Sequence, residues 1–401
     1  MALLPVDEAL ERLLDGAAPS GTEQVGLSEA FGRILGAPLH ALRTQPPFDA
    51  SAMDGYAVLA QDIAFLPARL AVIGSAAAGN QFDGELARGQ AVRIFTGAPV
   101  PAGADTVVIQ ENVLDFGNGE IEVVEPTAAG RNIRARGLDF KQGDLLLEAG
   151  RELDPAALSL AASANHPTLE VLRTPLVAIV ATGDELLPPG SNPGPDQIIA
   201  SNAYGVAAIA RSIGARVLDL GIAPDRTDAI AALVDKALEA KADVVVTLGG
   251  ASVGDHDLVQ GVLTGLGMEL DFWKIAMRPG KPLMFGRLGD TRCIGLPGNP
   301  VASLICSHLF LKPLLAKLAG RVYAPDIREA VLDAPMREND LRQDYVRGFA
   351  RETDSGLVVT PYSIQDSSML RAMAQSNCAI VREPFAPAAE PGAGCRVLML
   401  R

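Results

Sequence analysis

The sequence is poor in the residues that build disulfides and zinc sites. Its 401 residues include four cysteines and four histidines. The cysteines have no CxxC spacing and most lie among apolar neighbours, so we expect buried free thiols: Cys293, Cys306, Cys378 and Cys395. The scattered histidines argue against a histidine-built metal centre. A bound metal is therefore expected to be a hard cation held by carboxylates.

Positive charge and long apolar runs are also scarce. Lys and Arg number 34 against 48 Asp and Glu, a net charge of −14, and such a field disfavours nucleic-acid binding. The longest apolar runs, residues 176–181 and 244–248, have the length of a strand, so no membrane span is predicted. Residue 1 begins an amphipathic pattern without a basic region or cleavage site. We expect a soluble cytoplasmic protein with neither membrane nor nucleic-acid partners.

Hydrophobic periodicity divides the chain into segments of different character. The apolar stripe Val6, Ala9, Leu10, Leu13 and Leu14 predicts a helix that ends at Gly16. Residues 46–150 alternate short β-branched runs with turns, which indicates a β domain. Between residues 174 and 320, strands alternate with helices, as in a mostly parallel, doubly wound sheet. Beyond residue 322 the pattern returns to β.

Polar loops follow several strands of the α/β segment. They span residues 182–185, 249–257, 278–282 and 296–300. Because ligands bind beyond the carboxyl ends of parallel strands, we expect these loops to form one concave site. Backbone N–H groups at the glycines would bind an anion, and Arg278 and Lys281 would add positive charge. The carboxylates Asp184, Glu185, Asp255 and Asp257 would together hold Mg²⁺.

A competing interpretation is a serine esterase. Residues 250–254 (GASVG) match the GxSxG pattern between a strand and a helix, with Ser252 as the nucleophile. The pattern also requires a later histidine, and His256 is too close in sequence, whereas His308 lies in a predicted core helix. No HGGG-type loop precedes the motif, so we favour the first interpretation. Walker A, GxGxxG and HExxH patterns are absent.

Six motifs resemble those of the molybdopterin molybdenumtransferases, a family that includes bacterial MoeA and the E-domains of plant Cnx and gephyrin. They are PFDASAMDGYA (47–57), FTGA (95–98), TGDEL (182–186), GGASVGD (249–255), PGKP (279–282) and LPGNPV (296–301). They occur in the family's order and cover nearly the whole chain.

The resemblance implies an α/β multidomain fold of four domains. They are an elongated dimerisation domain (1–26 and 141–172), a β-rich domain (27–140), an α/β domain resembling the molybdopterin adenylyltransferase fold (173–322) and a C-terminal small β-barrel (323–401). It also implies a homodimer whose site lies between subunits. The implied reaction is the Mg²⁺-assisted insertion of molybdate into adenylylated molybdopterin with release of AMP, with transient contacts to the molybdopterin adenylyltransferase and to apo-molybdoenzymes.

The resemblance also implies roles for individual residues. Asp257, Glu185 and Asp225 would be catalytic carboxylates, and Asp257, Glu185 and Asp255 would bind the metal. The implied substrate-binding residues are Asp54, Thr96, Asp139, Thr182, Gly249, Gly250, Ser252, Lys274, Arg278, Lys281, Pro282, Asn299, Ser303, Arg347 and Ser368. Arg278 departs from the lysine that is usual in bacterial relatives. A non-catalytic scaffold, the role of the gephyrin E-domain, stays open, as does a preference for tungstate.

Overall fold

The computed structural model describes residues 3–249 and 258–401. The chain divides into two compact units, each discontinuous in sequence. The α/β unit comprises Met1–Glu23, Gly32–Ile34 and Val171–Arg401, and the β-rich unit comprises Gln24–Phe31 and Leu35–Glu170. The division into four domains stays a prediction.

The first helix, α1, spans Val6–Leu14 and is followed by strand β1, Thr22–Gly26. Its predicted apolar stripe is real, since Ala9 and Leu13 are fully buried in the core of the α/β unit. Burial of a leucine side chain contributes about 1.5–3 kcal/mol. The helix ends at Leu14 with Asp15 as its C-cap, and Gly16 follows in the left-handed conformation that permits the turn.

The β-rich unit is built around one six-stranded sheet. Not all strands of this part of the chain belong to that sheet. In chain order, the elements are β2 Leu39–His40, β3 Ala50–Ser51, β4 Gly55–Val58, β5 Ala68–Ala76, β6 Gln90–Ile94, β7 Thr106–Ile109, β8 Val113–Asp115, β9 Glu120–Val123, β10 Ile133–Arg134 and β11 Leu145–Leu147, followed by helix α2, Pro155–Ser163, and strand β12, Thr168–Leu172. The sheet order is β7-β4-β6-β5-β9-β8, with β5 and β6 parallel and the other neighbours antiparallel. The predicted β character of this segment is confirmed.

Gly55 in β4 is a position where a side chain has no room. A Cβ atom there would overlap the carbonyl oxygen of Val108 on β7 and lie 2.8 Å from its carbonyl carbon. We expect Gly55→Ala to lower the free energy of unfolding by about 3 kcal/mol or more, because backbone cannot rotate away as a side chain can.

Urea denaturation of the purified variant measures this effect. Gly261→Ala is the matched control. Gly261 is an exposed residue of the helix Leu258–Gly265, and apart from its own helix no atom of the described residues lies within 4 Å of a Cβ added there. There the substitution should stabilise by about 0.5–1 kcal/mol. Equal midpoints for Gly55→Ala and wild type would contradict the packing argument.

The α/β unit contains a second six-stranded sheet with helices on both faces. In chain order, the elements of this part of the unit are β13 Leu176–Thr182, β14 Leu186–Leu187, β15 Ile198–Ile199, α3 Asn202–Ser212, β16 Arg216–Ala223, α4 Thr227–Glu239, β17 Val244–Leu248, α5 Leu258–Gly265, β18 Glu269–Phe272, β19 Met277–Arg278, β20 Met284–Leu288 and β21 Thr291–Leu296. The order is β16-β13-β17-β21-β20-β18, in which the first four strands are mutually parallel, β20 is antiparallel to β21, and β18 is antiparallel to β20. The predicted mostly parallel, doubly wound sheet is confirmed.

A long helical run follows this sheet. Helix α6, Pro300–Cys306, continues through a π-helical turn, Ser307–Leu311, into helix α7, Lys312–Leu318. By length and composition alone these 19 residues could cross a membrane, a feature that the sequence analysis did not note. Of this run, 72% is buried inside the protein, where Phe310 and Leu314 pack in the core, as expected of a core helix.

The C-terminal region forms a closed five-stranded barrel. Its elements are β22 Ile327–Leu332, β23 Gln343–Thr353, β24 Gly356–Pro361, α8 Leu370–Gln375, β25 Cys378–Arg382 and β26 Gly394–Met399. The ring closes because β22 pairs with both β24 and β26, and β25 joins β23 to β26. Strand β19 adds to β23 in parallel, with Arg278 opposite Asp344. The predicted barrel is confirmed.

Candidate active site

A cavity of about 890 Å³ lies at the carboxyl edge of the parallel strands in the α/β unit. The loops after β13, β17 and β21 contribute to its walls, as expected from the sequence. Seven predicted site residues line it: Thr182, Glu185, Asp225, Gly249, Pro282, Asn299 and Ser368. The structure therefore brings together side chains that are as far as 186 positions apart in the chain.

The acidic wall of the cavity is formed by Glu185 and Asp225. The loop after β13 turns at Gly183, whose φ of +148° is a glycine conformation, and a Cβ there would overlap the Glu185 carboxylate. Asp184 has a different role, because its Oδ1 accepts a hydrogen bond from the backbone N–H of Asp225 at 3.0 Å. Asp184 thus ties two loops together and positions the two carboxylates of the wall.

The loop after β17 approaches β13 closely. Gly249 has φ of +94°, and a Cβ there would lie 2.8 Å from the carbonyl oxygen of Thr182. The Thr182 hydroxyl is buried and has no hydrogen-bond partner among the described residues. Such an orphan group at a cavity wall is available to a ligand. The predictions for Gly250, Ser252, Asp255 and Asp257 fall on residues 250–257, outside the described residues.

The esterase interpretation gains no support from the histidines. No histidine is found among the described wall residues of the cavity. His308 lines a second cavity, of about 360 Å³, between α1 and the barrel. Burial, together with the charge of Lys312, lowers the pKa of His308 to about 4. His308 therefore opens onto a different cavity from the one that Gly249 lines.

Asn299 and Pro300, which also line the cavity, are the N-cap and the first residue of helix α6. Pro300 occupies the first helical position, where a proline is favoured, and the Asn299 side chain makes no capping hydrogen bond. The preceding carbonyl of Gly298 accepts a 2.7 Å hydrogen bond from the side-chain amide of Asn202, which fixes the loop. The Asn299 side chain therefore remains available to a ligand in the cavity.

Within the α/β unit, five predicted substrate-binding residues do not line the described cavity. Lys274 lies over the Trp273 ring, with Nζ 5.0 Å from its centroid, and Arg278 is paired with Asp344. The others are Lys281, which is half-buried, and Ser303 and Arg347, which are buried. Burial of Arg347 lowers its guanidinium pKa. The Ser303 hydroxyl is a second buried group without a partner in the described structure.

An apolar wall was missed by the sequence analysis. Leu186, Ile198 and Ile199 line the cavity from the short parallel pair β14 and β15. Ile198 is 56% exposed and Ile199 is 37% exposed, so two adjacent aliphatic side chains are open to solvent at this wall. The signal that could have revealed it is the isoleucine pair at the end of the Pro/Gly-rich tract 188–195.

In the β-rich unit, two of the sequence motifs meet. Asp54 Oδ1 accepts hydrogen bonds from the backbone N–H of Thr96 at 2.7 Å and from its hydroxyl at 2.8 Å. These bonds, the backbone one first, lower the pKa of the Asp54 carboxyl, so it stays ionised at neutral pH. Both residues are exposed, as is Asp139, whose N–H donates to the carbonyl of Gln45. Asp54 and Thr96 thus form an anionic, solvent-facing corner.

Comparison with known proteins accounts for the chain almost end to end. Residues 4–165 match the MoeA N-terminal region (domains I and II), 178–317 a probable molybdopterin-binding domain, and 329–400 the MoeA C-terminal region (domain IV). The molybdopterin molybdenumtransferase of Haemophilus influenzae is 37% identical over 388 residues, covering 95% of each chain. The chain belongs to the molybdopterin molybdenumtransferase family. A relative of the same name from Bacillus subtilis is 34% identical, covering 99% of this chain and 94% of its own.

The fold of this molybdopterin molybdenumtransferase family member agrees with a solved structure. The molybdopterin biosynthesis MoeA protein from Pyrococcus horikosii superposes with a TM-score of 0.85 at 30% identity over the full length of both chains. Members of the family are transferases of molybdenum cofactor biosynthesis. The predicted fold class and enzyme class are therefore confirmed.

Proposed function

We propose that this chain completes the molybdenum cofactor by inserting molybdate into adenylylated molybdopterin with release of AMP. The observation that carries the proposal is the cavity that joins Glu185 and Asp225 to Pro282, Asn299 and Ser368. A ligand with a phosphate at one end and a pterin dithiolene at the other needs a large, mixed-polarity site. The cavity offers acidic, amide and apolar walls in one space.

Mg²⁺ fits the acidic wall. The protein and its substrate are both anionic, so phosphate can approach Glu185 and Asp225 when a divalent cation lies between them. The described residues contain no group of three or more His, Cys, Asp or Glu placed for a metal. Mg²⁺ typically takes one or two carboxylates plus water and phosphate oxygens, and Glu185 and Asp225 are the two carboxylates proposed for it on this wall. When bound, the ion would neutralise charge on the phosphate during cleavage. The proposed ligands Asp255 and Asp257 lie in the undescribed segment.

The chain's own groups bind and orient the substrate. Because Gly249 has no side chain, the backbone there could approach a phosphate closely. The Thr182 hydroxyl, which has no partner among the described residues, could donate a hydrogen bond to the substrate. The apolar wall of Leu186, Ile198 and Ile199 would cover the pterin ring and exclude water. For molybdate we propose Lys281, the partnerless Ser303 hydroxyl and Ser368, since a small dianion is bound by cations and hydroxyl donors.

We also propose a homodimer in which the corner of Asp54 and Thr96 in one subunit, with Asp139, completes the site of the other. The proposal is supported by the family resemblance and by the exposure of both hydrogen-bonded residues. An isologous dimer would carry two such sites. Transient contacts with the adenylyltransferase and with apo-molybdoenzymes would deliver substrate and take up product. We place the enzyme in the cytoplasm, where its four free cysteines remain reduced.

Reconstitution tests this function. The purified chain, supplied with adenylylated molybdopterin, molybdate and Mg²⁺, should release AMP and activate a cofactor-free molybdoenzyme. Omission of molybdate or of Mg²⁺ should abolish activation, because molybdate is a substrate of the proposed reaction and Mg²⁺ is required for it. Serine-directed inhibitors should have no effect. Ester hydrolysis without AMP release would favour the esterase instead.

A further inference from the structure

The Arg278 guanidinium lies among acceptors of the barrel and not in the cavity. Its Nε and Nη2 donate to Asp344 Oδ2 at 3.0 and 2.5 Å, and Nη2 also donates to Asn339 Oδ1 at 3.0 Å. Its Nη1 donates to Asp340 Oδ2 at 3.2 Å. All three guanidinium nitrogens are therefore engaged. The group cross-links two parts of the chain: four of its five N–H donors are used, and a single N–H of Nη1 remains for another acceptor.

The acceptors of Arg278 are themselves held firmly. The Asn339 side-chain amide donates to the carbonyls of Arg342 at 2.7 Å, Arg382 at 3.2 Å and Glu383 at 2.9 Å. Asp344 belongs to β23, which is paired along its length in the closed barrel. Arg278 is thus anchored to a rigid element.

Both ends of this cross-link lead to the cavity. On one side, the chain passes from Arg278 through residues 279–281 to Pro282 in the wall. On the other, β23 continues from Asp344 to Arg347, whose Nη1 donates to the carbonyl of Asp366 at 2.8 Å. The Asp366 carboxylate accepts a 2.6 Å hydrogen bond from the hydroxyl of Ser368, which also lines the cavity.

We propose that Arg278 is a positioning residue that sets the spacing between the 279–282 loop and Ser368, and that it does not bind substrate itself. The inference rests on the proposed function, because Lys281 and Ser368 are the groups proposed to hold molybdate. A planar fork reaches Asp344, Asp340 and Asn339 together, whereas the compact ammonium of a lysine cannot. Arginine in place of the bacterial lysine is then a structural requirement of this barrel contact.

Kinetics of Arg278→Lys, Arg278→Gln and Asp344→Asn test the proposal. We expect the KM for molybdate to rise about tenfold in all three, with kcat within about twofold of wild type, because a misplaced loop weakens binding of the oxyanion. Arg328→Gln, which breaks the exposed barrel ion pair with Asp326, is the matched control and should change neither constant.

The three variants separate positioning from direct binding. If Arg278 held the oxyanion, Arg278→Lys would keep most of the affinity because the charge remains. Asp344→Asn would then leave KM unchanged or lower it, since the guanidinium would be released from its carboxylate. Either result overturns the proposal. Thermal melts of each variant show whether the fold is retained.

A second measurement needs no activity. The backbone N–H groups of Ile275 and Leu283 both donate to the carbonyl of Lys281, at 3.0 and 3.1 Å. Their hydrogen exchange should accelerate in Arg278→Lys and Asp344→Asn, whereas strand β17 stays protected. Unchanged hydrogen exchange at the amides of Ile275 and Leu283 in the folded variants would contradict the positioning role of Arg278. Failure of wild type to transfer molybdenum would instead count against the proposed function and leave this exchange result standing.

Discussion

Glu185→Gln is expected to lower kcat for molybdenum transfer by about 10²–10³-fold, because in the proposed function this carboxylate acts on the reacting phosphate through a divalent cation. The Glu185 side chain is exposed at the cavity wall and isosteric with glutamine, so the free energy of unfolding should change by less than ~0.5 kcal/mol. Initial rates of AMP release across a Mg²⁺ titration measure the effect. The Mg²⁺ concentration for half-maximal rate should rise if the carboxylate holds the ion.

Asp225→Asn should behave in the same way, and the double variant should lose less than the product of the two single effects, since both carboxylates act on one group. Glu239→Gln, at the end of α4 and outside the cavity wall, is the matched control and should retain wild-type rates. A Glu185→Gln enzyme with wild-type kcat and Mg²⁺ dependence would remove this carboxylate from the mechanism.

Mixing two inactive variants is expected to restore activity. An Asp54→Ala subunit lacks the exposed corner of the β-rich unit, and a Glu185→Gln subunit lacks the acidic wall. If each site combines these parts from different subunits, a mixed dimer has one intact site. Random re-pairing should then recover about a quarter of wild-type activity, because half of the dimers are mixed.

The control is a mixture of Glu185→Gln with Asp225→Asn subunits. Both lesions lie on the same wall of the cavity, so no combination yields an intact site, and activity should stay at the level of the separate variants. If mixed dimers of Asp54→Ala and Glu185→Gln, verified by mass spectrometry, are as inactive as their parents, the site is not shared between subunits.

Elements with strong periodicity were predicted from the sequence to within a few residues. The buried strand β17 coincides with its predicted bounds, and β13 differs by one residue at its end. The sequence also revealed the motifs that contain Asp54 and Thr96, but it gave no sign that the two residues are in contact. Their hydrogen bond joins positions 42 residues apart, which no local pattern encodes. The helical run from Pro300 was also predicted as a core helix, although its length as an apolar segment was not noted because serine, histidine and lysine interrupt it.

The sequence by itself determined the strands, the helices and the order of the glycine-rich loops, because these depend on residues a few positions apart. The tertiary structure decided which charges face the cavity. Arg278 carries the charge expected of an anion ligand, yet Asp344 and Asp340, 66 and 62 positions away, engage its guanidinium. The residue type fixes the charge of a side chain, but the packing of distant segments fixes which oppositely charged group pairs with it.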